Sequence, residues 1–131
     1  CMTDATMIIV PKTVTTIGSL AFTRRSKLKK VQLPEGLDRI GRDAFSDCDA
    51  LEELTIPASV KTIDPYAFAS CDSLKKVTFL GVPEHIARTA FSDCDNLMSI
   101  IVPQGEEKKF RKQLHVTVES DTLVLGEEQK N

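Results

Sequence analysis

Three cysteines recur at one interval, Cys48, Cys71 and Cys94, and each is followed directly by an aspartate: Asp49, Asp72 and Asp95. Asp47 and Asp93 also precede two of them. Thiolates and carboxylates are the side chains that hold metals, so this cluster is the first place to look for chemistry. Structural zinc takes cysteines in pairs two to four residues apart, and the 23-residue spacing here is no such pattern. If like positions lie above one another, the thiols form a column, near enough for a disulfide yet all pointing the same way. That orientation suits packing better than bridging, and the cysteines read as buried free thiols acting as small hydrophobes. A file of carboxylates about 5 Å apart offers calcium the oxygen ligands it prefers. The competing reading has each aspartate accept a backbone N–H in a turn. His85 and His115 lie in no metal spacing, and no Ser or Cys occupies a strand-to-helix nucleophile turn. The sequence shows no catalytic constellation, no metal site and no cofactor motif, so the chain reads as a non-enzyme.

The elements that position these residues follow from a repeat. Phe22, Phe45, Phe68 and Phe91 are each 23 residues after the last and each follows an alanine. Isoleucine stands four residues before each alanine (Ile17, Ile40, Ile63, Ile86), and leucine six after each Phe (Leu28, Leu51, Leu74, Leu97). An aliphatic comes three residues later (Val31, Leu54, Val77, Ile100), then a further apolar residue (Leu33, Ile56, Phe79, Val102). Proline follows at 34, 57 and 103, with Leu80 the exception, and Ile8, Val10, Pro11 and Val14 keep the same register upstream. The alternation in Leu28-x-x-Val31-x-Leu33 is that of a short half-buried strand, which the following proline ends. The segment from Ile17 to Phe22 reads as a helical or 3₁₀ turn on the opposite side of the coil. One such coil cannot bury its own apolar face, but stacked coils can, at about the 4.8 Å spacing of parallel strands.

The unit I-x-x-x-A-F-x-x-C-x-x-L-x-x-[VLI]-x-[LIVF]-P resembles the BspA-like class of leucine-rich repeats over roughly residues 5 to 103. The resemblance implies an α/β repeat solenoid, a right-handed leucine-rich-repeat coil. Short parallel strands line one face, turns or 3₁₀ segments the other, and a helix caps the C-terminal end. It also implies a cell-surface or extracellular recognition module used in adhesion and in binding host proteins. This chain departs from the pattern at Arg25, which stands where the later repeats have cysteine, and at Leu80-Gly81-Val82-Pro83, where a local loop shift is expected.

The array is expected to span residues 1–103, a partial repeat and four full units, with a cap over 104–131. In the cap, residues 106 to 114 read as a short helix, acidic at its start and basic later, as the helix dipole favours. His115–Val118 and Thr122–Leu125 read as a hairpin, or as one strand added to the sheet edge. The outward strand positions are the candidate partner-binding residues: Lys30 and Gln32, Glu53 and Thr55, Lys76 and Thr78, Ser99 and Ile101, with Met7 and Ile9 upstream. Lys30, Glu53 and Lys76, like Lys29, Glu52 and Lys75, alternate in sign from coil to coil. They read either as a ladder that stabilises its own register or as a strip that contacts a protein partner.

A chain of 131 residues with 17 basic and 19 acidic side chains carries a net charge of -2, giving no general attraction for nucleic acid or anionic membrane. No stretch reaches the ~20 apolar residues of a membrane span, and no signal peptide is evident. Three functions fit: a protein-interaction or adhesion module, a structural spacer within a larger surface protein, or a calcium or small-ligand module using the Asp column. The apolar cross-section before Ile8 has no evident cap, which invites self-association through that end.

Overall fold

The computed structural model describes residues 6–114 and 123–126. Each 23-residue unit makes one coil with two straight sides. On the front lie β1 (Met7–Ile9), β3 (Lys30–Gln32), β5 (Glu53–Ile56), β7 (Lys76–Phe79) and β9 (Ser99–Val102). On the back lie β2 (Thr16–Ile17), β4 (Arg39–Ile40), β6 (Thr62–Ile63) and β8 (His85–Ile86). All pairings are parallel, and partners differ by one repeat: Ile8 faces Val31, Leu54 faces Val77 and Ile40 faces Ile63. The expected in-register stack is therefore the architecture.

The interior is a set of columns. Leu28, Leu51, Leu74 and Leu97 are buried, as are Ile17, Ile40, Ile63 and Ile86. The four phenylalanines stack ring on ring, with centroids 5.2, 5.3 and 5.4 Å apart and planes within 18° of parallel. Repetition makes this possible, because equal side chains at equal heights fill equal volumes and no coil disturbs its neighbour's packing. Phe45 and Phe68 each add a stacking contact on two sides beyond their burial.

One expectation is corrected. The isoleucines before Ala-Phe sit in two-residue strands, β2, β4, β6 and β8, and not in a helical turn. Their short Thr-Ile or Arg-Ile segments pair because the coil above repeats them, which no single segment reveals. The turn comes after the strand, with left-handed backbone at Leu20 and Arg24, Asp43 and Asp47, Tyr66 and Ser70, and Asp93. These two columns bracket Ala-Phe, and aspartate tolerates the conformation better than most residues. The front ladder is in two parts. β1 pairs only with β3, while β5, β7 and β9 form a second set. The back sheet and the ring stack run across that break unbroken.

Gly41 is required by close approach and not by conformation, since a Cβ there would lie 2.7 Å from the Ile17 carbonyl oxygen. At the irregular Leu80-Gly81 junction the same holds, with a Cβ on Gly81 falling 2.9 Å from Ala58. Downstream, α1 (Glu107–Leu114) lies on the last coil. Its Phe110 is fully buried with its ring centroid 4.8 Å from that of Phe79. The Gln113 side chain accepts a hydrogen bond from Ile86 N–H at 3.0 Å and donates one to the Pro83 carbonyl at 3.4 Å, closing the edge of β8. The strand β10 (Leu123–Gly126) then adds parallel to β9, the edge-strand alternative to a hairpin. The strand expected over His115–Val118 lies outside the described residues.

Candidate functional site: the strand-lined face

The alternation of the front strands decides which side chains meet solvent. In β5 the burial runs exposed, buried, exposed, buried, so Leu54 and Ile56 enter the core while Glu53 and Thr55 point out. The other front strands repeat this, and all eight expected positions come together on one surface. Lys30, Gln32, Glu53 and Thr55 are exposed, and Lys76, Thr78, Ser99 and Ile101 are half-buried. Glu53 stands opposite Lys76 and Thr55 opposite Thr78; Lys76 in turn faces Ser99, and Thr78 faces Ile101. Met7 and Ile9, paired with Lys30 and Gln32, extend the strip with apolar side chains 45% and 62% exposed.

The charges on this face do not pair with one another. Among the described residues the salt bridges join Arg39 to Asp64, Arg42 to Asp43 and Lys109 to Glu106, and none includes Lys30, Glu53 or Lys76. The Arg39–Asp64 pair is on the back sheet, two-pronged at 2.9 and 3.2 Å. The front face thus presents ammonium and carboxylate groups that form no ion pair among the described residues, beside threonine hydroxyls and two apolar ends.

Column comparison also exposes residues that the outward positions alone do not. Met98 is 66% exposed in the column otherwise filled by Lys29, Glu52 and Lys75, and Leu80 is 54% exposed where the other repeats have proline. An apolar residue in a charged column is the signal that finds them.

The cysteine column is built differently from a metal site. Cys48, Cys71 and Cys94 are buried and free. Each Sγ donates to the carbonyl of the Phe one coil upstream: Cys48 to Phe22 at 3.3 Å, Cys71 to Phe45 at 3.3 Å and Cys94 to Phe68 at 3.1 Å. Burial first, against a backbone hydrogen bond from Arg25, pushes the Cys48 thiol up to about 11. The hydrogen bond shared with Cys94, and then burial, hold the Cys71 thiol well above the ordinary thiol range. Thiols raised in this way, as at Cys48 and Cys71, are poor nucleophiles at neutral pH.

The turn aspartates also differ from expectation. The turns before β5, β7 and β9 are closed by main-chain bonds, Leu51 N–H to Cys48, Leu74 to Cys71 and Leu97 to Cys94, and among the described residues not by Asp side chains. Desolvation, then the neighbouring Asp72 and Asp47, raises the Asp49 carboxyl above its usual range. Among the described residues no three of His, Cys, Asp and Glu converge to hold a metal ion. His85 is exposed, and His115 lies outside the described residues. No described helix is long and apolar enough to cross a membrane.

With this geometry in hand, comparison with known proteins gives one consistent result. The family model for the BspA type leucine-rich repeat region matches residues 1–114 in six copies. No curated protein matches. A leucine-rich cell surface protein from Faecalibacterium prausnitzii A2-165 is similar with a TM-score of 0.69 at 18% identity, over 88% of this chain and 36% of that one. A leucine-rich repeat protein from Eubacterium ventriosum ATCC 27560 also has a TM-score of 0.69, at 24% identity, over 93% of this chain and 33% of that one. At such identities the likeness is one of fold, and the chain spans about a third of the length of these two structures.

Proposed function

The chain belongs to the BspA-type leucine-rich repeat family, and from that premise we propose that it is a non-enzymatic protein-interaction module of a cell-surface or secreted protein, binding through its strand-lined face. The observation that carries the reading is the unpaired, in-register charge on that face. A ladder serving only its own stability would join Lys30, Glu53 and Lys76 in ion pairs, and no such pair is made. Threonine hydroxyls supply hydrogen-bonding groups between the charges, while Met98, Leu80 and Ile9 supply apolar contact at the margins. A non-obligate interface is as a whole only about as apolar as the rest of a protein surface, and a strip of mixed polar and apolar side chains is compatible with one. In this reading residues 1–103 form the binding array, residues 104–131 close its downstream end, and the partner is an extracellular protein, as in adhesion.

A spacer role within a larger surface protein is the second reading, supported by the chain's spanning about a third of the length of the two similar structures. The calcium reading finds no coordinating set among the described residues.

The test is binding to a panel of immobilised extracellular host proteins by the chain and by a variant carrying Lys30→Ala, Glu53→Ala and Lys76→Ala together. The expected result is saturable binding to a member of the panel that weakens by about tenfold or more in the variant, with an unchanged melting temperature. Equal binding by both chains would remove the face from the account.

A further inference from the structure

We infer that the strand-lined face takes one amphipathic helix of a partner protein, laid across the strands, whose contact stripe runs apolar, acidic, basic, acidic, apolar. The inference rests on the protein-interaction reading of that face and names the partner's chemistry.

Taken column by column the face alternates in charge; taken whole, it is banded. Lys29 and Lys30 stand together at one level, Glu52 and Glu53 one repeat on, and Lys75 and Lys76 one repeat further. Lys76 is half-buried and the other five are exposed. Outside the first lysine band lie Met7 and Ile9, 45% and 62% exposed, with Met7 opposite Lys30 and Ile9 opposite Gln32. Outside the second lie Met98, 66% exposed, and half-buried Ile101, with Ser99 opposite Lys76. Across the five front strands the order is thus apolar, positive, negative, positive, apolar, the same from either end. Opposite charges one repeat apart could neutralise each other, yet among the described residues no ion pair joins any of the six. Each band keeps its charge for an outside group.

The spacing selects the shape of that group. Parallel strands lie about 4.8 Å apart, so the four steps between the outer bands cover about 19 Å. Four turns of a helix cover about 22 Å, a difference of about 1.5 Å at each end that lysine, glutamate and methionine side chains can span. The matching stripe is i, i+4, i+7, i+11, i+14, one face of a helix. An extended segment shows the same side only every ~6.7 Å, and four such steps reach about 27 Å, past both apolar bands. A second sheet would bury all six charged groups in the layer between the sheets, at a large desolvation cost. A helix touches one row of each band and leaves the flanking charges in water.

The same order excludes a second copy of this chain. Two faces in full overlap about a two-fold axis would set Glu52 and Glu53 against their own copies, and lysine bands against lysine bands. Sliding by one coil matches lysine to glutamate but sets an apolar end, either Met7 and Ile9 or Met98 and Ile101, against lysines.

The test uses the full chain and synthetic helical peptides of about 18 residues on an alanine–glutamine background, with binding read by calorimetry. One peptide carries leucine, glutamate, lysine, glutamate and leucine at the five stripe positions. The other has the same composition and net charge with the central order changed to glutamate, glutamate, lysine. The first should bind at least about tenfold more tightly, and a variant with Glu52→Lys and Glu53→Lys should bind both alike. A proline placed mid-peptide should weaken binding of the first by about tenfold or more. Equal affinity for the two orders, or full binding by the proline peptide, would overturn the helix. So would a free chain that sediments as a dimer dissociated by Glu53→Lys, which would put a second copy on the face. If neither peptide binds while the Lys30, Glu53 and Lys76 triple-alanine variant still loses a protein of the host panel, the helix falls and the binding face stands. Peptide binding kept at full strength in that triple variant would overturn both.

Discussion

At the scale of the residue, the phenylalanine column was the most legible feature, and its rings are the largest side chains of the repeated interior columns. Phe68 is fully buried between two rings, at 5.3 and 5.4 Å, so Phe68→Ala removes two stacking contacts and leaves a cavity that neighbouring coils hold open. Urea unfolding should show a loss of about 3–5 kcal/mol for that change and clearly less for Phe22→Ala, whose ring is half-buried. The cysteines were legible as packing residues, but their sulfur-to-carbonyl bonds were not, because the acceptor lies 26 residues away and appears only when coils stack. Cys48 gives a pH signature. Its thiol titrates at about 11 in the folded chain against 9.0 for an unperturbed thiol. The stabilisation is therefore complete below pH 9.0 and is lost as pH rises through about 11, since the unfolded chain loses its proton first. The urea midpoint should fall over that interval, and fall less in Cys48→Ala; parallel curves for the two chains would contradict the assignment.

At the scale of the element, the front strands could be read from apolar alternation closed by proline, and the terminal helix from its charge order and Phe110. The back strands could not. Two residues such as Arg39–Ile40 carry no alternation, and they are strands only because the coils on either side offer matching partners. The left-handed corners were equally hidden, since Leu20 and Tyr66 adopt a conformation their own side chains disfavour and their neighbours impose. The break between β3 and β5 in the front ladder has no signal in the repeat, whose columns continue across it. Gly41 shows how tightly these elements are set. Gly41→Ala should cost about 1–3 kcal/mol in urea unfolding, because the obstacle is backbone of the preceding coil and cannot swing aside. A neutral result would mean that the coils are further apart than described.

At the scale of the whole molecule, the chain is a stack whose two ends differ and whose front face holds unpaired charge. The downstream end is covered by α1 and Gln113; the upstream end shows an apolar cavity lined by Ile8, Ile17 and Phe22. The outward positions of the binding strip were legible from strand alternation, yet the lack of ion pairs among them was not, since register brings the backbones together without joining the side-chain heads. On the proposed function, binding of a protein partner to that strip should weaken with added salt, because exposed charges separated by solvent are screened. All of this depends on the coils lying in register. The direct measurement is nuclear Overhauser spectroscopy of the phenylalanine rings, each assigned by single substitution. Ring-to-ring contacts between Phe22 and Phe45, Phe45 and Phe68, and Phe68 and Phe91, with none between Phe22 and Phe68, are the predicted result. Rings with no mutual contacts, or a different order of neighbours, would contradict the stack.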